Sequence, residues 1–130
     1  MSRQRKKILL VDDNHDILDL LEIFLYHDFD IITALNGFEG VQKAKSENPD
    51  CIITDIMMPV MDGIKFFNNV RKHNEGQAVP IIGITSFAKK ITTKSLLNMG
   101  FSHVLTKPLS RELVCGTVQQ AIANLDGKAQ

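Results

Sequence analysis

Five short apolar runs alternate along the chain with segments whose apolar residues recur every three to four positions, and this alternation restricts the fold more than any other feature. Lys7–Val11 reads as a first strand. Asp16–Tyr26 reads as a first helix, with Ile17, Leu18, Leu21 and Leu25 on one face and Asp19 and Glu22 outside. Asp30–Ala34 is a short second strand, and a helix opening at Asn36-Gly37 uses Phe38, Val41 and Ala44 before stopping ahead of Pro49. Cys51–Thr54 is a third strand, followed by a helix from Asp62-Gly63 through Phe66, Phe67 and Val70. Pro80–Ile84 is a fourth strand, and Ala88–Met99 a helix closed by Gly100. His103–Thr106 is a fifth strand, after which Ser110 caps a helix striped by Leu113, Val114, Val118, Ile122 and Leu125. Strict alternation of this kind requires a parallel sheet with helices on both faces. Right-handed crossovers make it a doubly wound α/β sheet, (βα)5, in three αβα layers.

The length of 130 residues suits one domain, 1–130, with a folded core over about 6–125 between a short basic tail and a short polar one. Apolar residues are 44% and charged residues 23%, an ordinary globular balance. No apolar run approaches the roughly 20 residues of a membrane span. The basic start leads into Ile8–Val11, which Asp12 and Asp13 stop at once, so it is no secretory signal, and a cytoplasmic location is expected. Cys51 and Cys115 have no ligand-type spacing and read as free thiols. Net charge is zero, yet residues 1–62 hold twelve acids and six bases, and residues 63–130 three acids and nine bases. Such asymmetry can steer a partner, but it is not the concentrated basic patch of a nucleic-acid binder. Neither nucleic acid nor membrane is expected as a direct partner. Arg3–Lys7 reads as a solubilising tail.

In an open parallel sheet the functional site lies beyond the carboxyl ends of the strands. There the first strand delivers Asp12-Asp13, the third Asp55, the fourth Thr85-Ser86 and the fifth Lys107-Pro108. Each position also has an ordinary explanation: Asp12 or Asp13 as a helix cap, Thr85 or Ser86 as another, Asp55 opening a turn, Lys107 as a surface residue. Three acids, a hydroxyl and a lysine arriving together at one edge outweigh those explanations. Carboxylates so gathered repel unless something positive holds them. A hard divalent cation suits an all-oxygen set, and Mg²⁺ accepts a few protein ligands plus waters. With Lys107 as a fixed charge, the edge becomes a cradle in which a carboxylate can attack a phosphoryl group.

The segments "ILLVDDN", "IITDIMMPVMDG", "IIGITS" and "GFSHVLTKPL" resemble the receiver domain of two-component response regulators, over about Lys6 to Leu125. The resemblance implies the flavodoxin-like, CheY-like strand order 2-1-3-4-5. It implies Asp55 as phosphoacceptor, loaded from a sensor histidine kinase or a histidine phosphotransfer protein. Asp12, Asp13, Asp55 and the backbone carbonyl of Met57 would hold Mg²⁺. Thr85 would be the switch hydroxyl, and Lys107 would pair with the phosphoryl group ahead of a cis bond to Pro108. Phosphorylation would then bias the face of the fourth helix, fifth strand and fifth helix, where Lys89, Lys90 and Lys94 lie, toward an unidentified protein target. A receiver of this kind is not an enzyme with a separate substrate.

The chain departs from that pattern at Val104, where receivers usually carry the aromatic switch residue, with His103 before it. Met57 and Phe87 occupy the positions that tune phosphoryl lifetime, and neither can deprotonate an attacking water, so slow self-dephosphorylation is expected. Two other functions compete. A magnesium phosphohydrolase with an aspartate nucleophile would want a second proton-transferring acid at Met57. A docking module independent of phosphorylation would be expected to lack site residues, and here Asp12, Asp13, Asp55, Thr85 and Lys107 are all present. Nucleotide binding has no GxxxxGK[ST] to support it. Only Asp126–Gln130 follows the last helix, which leaves open a stand-alone regulator or a receiver from a longer protein.

Overall fold

The structure, a computed structural model, describes residues 5–73, 79–86 and 93–128. Expectations resting on Phe87, Lys89, Lys90, a helix start at Ala88 and the Leu125 side chain lie outside what is described. Ten elements alternate: β1 (Lys7–Val11), α1 (His15–Leu25), β2 (Asp30–Ala34), α2 (Gly37–Glu47), β3 (Cys51–Asp55), α3 (Gly63–His73), β4 (Ile81–Thr85), α4 (Thr93–Met99), β5 (His103–Thr106) and α5 (Arg111–Lys128). All strand pairs are parallel, and the sheet order is β2-β1-β3-β4-β5.

Period-two alternation along the strands sends successive side chains to opposite faces. Ile8, Leu10, Ile53, Ile82 and Ile84 meet Leu18, Leu21 and Leu25 of α1 and Val114 and Val118 of α5. Leu9, Val11, Ile52 and Ile81 meet Ala44 of α2, Phe66, Phe67 and Val70 of α3 and Leu96 of α4. Full burial of each of these side chains larger than alanine stabilises by about 1.5–3 kcal/mol. The same burial pushes the Cys51 thiol up to about 12, so it is a core group rather than a nucleophile.

The helix ends follow local chemistry. Asn14 caps α1, its side chain accepting from the Asp16 and Ile17 N–H groups at 2.8 and 3.3 Å. Asn36 caps α2 through the Glu39 N–H, while Glu39 Oε1 accepts from the Leu35 N–H, both at 2.8 Å. Gly100, at φ +120°, ends α4. Its N–H donates to the Leu97 carbonyl and that of Phe101 to the Leu96 carbonyl, at 3.1 and 3.2 Å, the paired bonds of a Schellman ending.

Three expectations are corrected. Phe38 points outward, 58% exposed, and Gly37 and Gly40 take its place inside. A Cβ at Gly40 would lie 2.8 Å from Phe66 and 3.0 Å from Val11, so α2 packs too closely for a side chain there. Leu113 is half exposed, because α5 turns Val114, Thr117 and Val118 inward instead. The basic segment is more than a solubilising tail. Arg5 donates to the Tyr26 carbonyl, and to that of Phe29 at 2.9 Å, at the end of α1. Lys7 Nζ donates to the Glu47 carbonyl at 3.0 Å, at the end of α2.

Candidate functional site

The strand register places the site. Val11 pairs with Thr54, so Asp12 comes beside Asp55, the last residue of β3. Asp55 pairs with Ile84, which sets Thr85 one step further along β4. Thr85 pairs with Thr106, and Lys107 follows, its N–H donating to the Thr85 carbonyl at 3.0 Å. Residues separated by up to 95 positions therefore meet at one sheet edge solely through backbone pairing.

Asp12, Asp13 and Asp55 each offer an oxygen within 4.8 Å of the others. Asp12 is 1% exposed and Asp55 6%, while Asp13 is exposed. Asp12 Oδ1 accepts from the Asn14 N–H at 2.9 Å, and its Oδ2 is buried without a partner. Burial pushes the Asp12 carboxyl up to about 6, against the Asn14 N–H, with Asp55 adding to the rise and Lys107 opposing it. Burial also raises Asp55, and the Lys107 charge and the Met57 N–H pull it back. Lys107 is half-buried and forms no salt-bridge contact among the described residues; its ammonium acts on the two acids from a distance. The Lys107–Pro108 bond is cis. Thr85 is buried at 4% exposure, and its hydroxyl donates to the Ser86 carbonyl at 2.8 Å.

The capping explanation for the acids fails, because Asn14 caps α1 and leaves Asp12 and Asp13 to the cluster. A donor set made only of oxygens, one of them buried and unsatisfied, fits a hard divalent cation. Val104 pairs with Gly83 and packs at the rim of the α2–α4 core. His103 Nδ1 lies 2.7 Å from the Ser102 hydroxyl.

Two residues that position the site carry little signal in the sequence. Asn14 is one. Gly63 is the other: its N–H donates to the Ile56 carbonyl at 2.9 Å, and a Cβ there would lie 2.4 Å from the Asp55 carbonyl oxygen. Only glycine lets α3 start so close to the strand that presents Asp55. The Asp-Gly pair was readable as a helix start; the close approach was not.

Residues 8–119 match the model of the response regulator receiver domain. The chain belongs to that family. This receiver is 35% identical over 114 residues to an uncharacterized 14.6 kDa protein of Leptolyngbya boryana, covering 87% of each chain. It is 37% identical over 106 residues to the alkaline phosphatase synthesis transcriptional regulatory protein PhoP of Bacillus subtilis, covering 81% of the receiver and 43% of PhoP. The chemotaxis protein CheY4 of Vibrio cholerae superposes with a TM-score of 0.82 at 30% identity, over 90% of this chain and 98% of that one. The receiver is thus a phosphorylation-activated component of two-component signalling with the CheY-like fold. Among the described residues no helix is long and apolar enough to cross a membrane.

Proposed function

We propose that Asp55 accepts a phosphoryl group from a phosphohistidine on a sensor kinase or phosphotransfer protein, and that the modified chain, acting as one receiver domain, engages a downstream protein. The observation that carries this reading is the meeting of Asp12, Asp13 and Asp55 within 4.8 Å, with one Asp12 oxygen buried and unpartnered. Asp12, Asp13, Asp55 and the Met57 carbonyl would hold Mg²⁺, which when bound neutralises phosphoryl charge. Lys107 keeps Asp55 toward its ionised, nucleophilic form against burial. In the transfer an Asp55 oxygen forms the new P–O bond. The P–N bond breaks with its electron pair going to the imidazole, which takes up a proton. Thr85, one residue beyond the partner of Asp55 on β4, is placed to turn its hydroxyl from the Ser86 carbonyl to a phosphoryl oxygen.

The chain turns over no substrate of its own on this reading: Met57, two residues past the acceptor, has no proton to move. The two unpaired cysteines suit a reducing cytoplasm. Incubation with Mg²⁺ and acetyl phosphate is expected to add the mass of one phosphoryl group, and Asp55→Asn to lose it. Retention of the modification in Asp55→Asn would overturn the assignment.

A further inference from the structure

Burial sorts the sulfur atoms of the described residues. Cys51 is sealed in the core, with its thiol pushed up to about 12. Cys115 is half-buried; burial raises its thiol too, and its Sγ donates to the Phe24 carbonyl at 3.3 Å. Oxidants attack a thiol through its thiolate, so both cysteines are poor targets at neutral pH. A thioether needs no ionisation and reacts wherever solvent reaches it. Met58 and Met61 are 7% and 8% exposed and pack into the α2–α4 core. Met99 is 43% exposed at the end of α4, by the start of β4 and away from the site, where the Ser102 N–H donates to the Ile81 carbonyl. Met57 is 65% exposed, the most open of the set.

That sulfur belongs to a residue tied to the acceptor. Met57 lies two residues past Asp55, and its N–H donates to the Asp55 carboxylate. Asp55 is 6% exposed, so water reaches a phosphoryl group on it only from the solvent side, where Met57 is exposed. A thioether sulfur is a weak hydrogen-bond acceptor and holds no water there. Oxidation turns it into a polar sulfoxide on the same flexible stem.

We propose that Met57 is an oxidation site that sets how long the phosphoryl group lasts: a hydroperoxide converts its thioether to the sulfoxide, and the sulfoxide oxygen holds the water that hydrolyses phosphorylated Asp55. The proposal rests on Asp55 as acceptor. In the first step sulfur is oxidised and the peroxide reduced: the O–O bond breaks, one oxygen forms the S–O bond, and the other leaves as water. In the second step the held water forms a new P–O bond. The bond from phosphorus to Asp55 breaks with its electron pair going to the carboxylate, and the water's proton leaves with inorganic phosphate. Oxidising conditions thereby shorten the signal while Asp12, Asp13, Asp55, Thr85 and Lys107 stay chemically unchanged.

The test treats the intact chain with dilute hydrogen peroxide and maps it by peptide mass spectrometry. The chain is then loaded with acetyl phosphate at saturating Mg²⁺, and decay of the label is followed. Met57 is expected to gain oxygen first and Met99 later, with Met58 and Met61 spared. The label is expected to decay about threefold to tenfold faster in the oxidised chain, the worth of one hydrogen bond to the attacking water. Methionine sulfoxide reductase restores the slow decay. Peroxide leaves the decay of Met57→Leu at its own untreated rate. Met57→Gln, whose amide oxygen stands in for the sulfoxide, decays faster than Met57→Leu without any oxidant. Oxidation of Met57 no faster than that of Met99 overturns the site. An oxidised chain with the untreated lifetime overturns the link to hydrolysis, and so does an equal peroxide effect in Met57→Leu, which places the cause in another residue. A wild-type chain that takes up no phosphate before peroxide is added removes the acceptor assignment, and the proposal with it.

Discussion

Asp12 shows what the site costs the free protein. Its buried, unpartnered oxygen and its raised pKa have one origin, loss of water without replacement by a donor. Because its folded pKa of about 6 exceeds the unfolded value near 3.8, the group favours the folded state below pH 4, and that contribution is lost as pH rises through 6. With Mg²⁺ chelated, urea unfolding should therefore show stability falling between about pH 4 and pH 7 by an amount of order 1–3 kcal/mol. Asp12→Asn should reduce that slope to the part left by Asp55, be more stable at pH 7, and gain less stability when Mg²⁺ is added. A second expectation at this scale concerns Met57. With an exposed thioether beside the acceptor and no proton-transferring group there, the phosphorylated chain should lose its label over minutes to hours, and Met57→Asn, which can orient a water, should shorten that lifetime. The acids and Lys107 were readable in the sequence because charged groups rarely end buried strands, and Thr85 because its strand delivers it to the same edge. The orphaned oxygen was not, since it depends on which cap α1 uses.

At the scale of elements, spacing located all five strands and five helices, with ends shifted by one or two residues where strands run into the site, as at Asp55 and Thr85. It misjudged faces where packing overrides hydropathy. Phe38 reads as core, yet α2 approaches β1 and α3 so closely that Gly40 must face them, which turns Phe38 to solvent. Gly63 is the same case at the site. Gly63→Ala forces a methyl group against the Asp55 carbonyl, 2.4 Å away, and should cost about 1–3 kcal/mol in thermal or urea unfolding. It should also weaken Mg²⁺ binding, because the displaced atom belongs to a ligand residue. A variant that binds Mg²⁺ as tightly as wild type would show that α3 moves and β3 does not.

For the whole molecule, alternation was enough to require a parallel sheet with both faces covered. The strand order came from the family resemblance alone, since no spacing says whether β3 follows β1 or β2 in space. The two cores share every strand, so the faces should unfold together. Ile8→Val on the α1–α5 side and Ile81→Val on the other should each cost about 0.5–1.5 kcal/mol. The pair, with β3 between them, should add to within about 0.5 kcal/mol in a single transition. Two transitions by circular dichroism and tyrosine fluorescence would show that one layer can melt without the other.

The junction of β3 with β4 divides the chemistry unevenly: the carboxylates come from the strands before it, the hydroxyl and the lysine from those after. A chain opened between α3 and β4 would yield two inert halves of opposite charge. Mixed, they would regain phosphate uptake only by zipping that ladder and repacking α4 and α5 across it, so recovery of the label would report, as a split reporter does, on the meeting of whatever proteins each half was fused to.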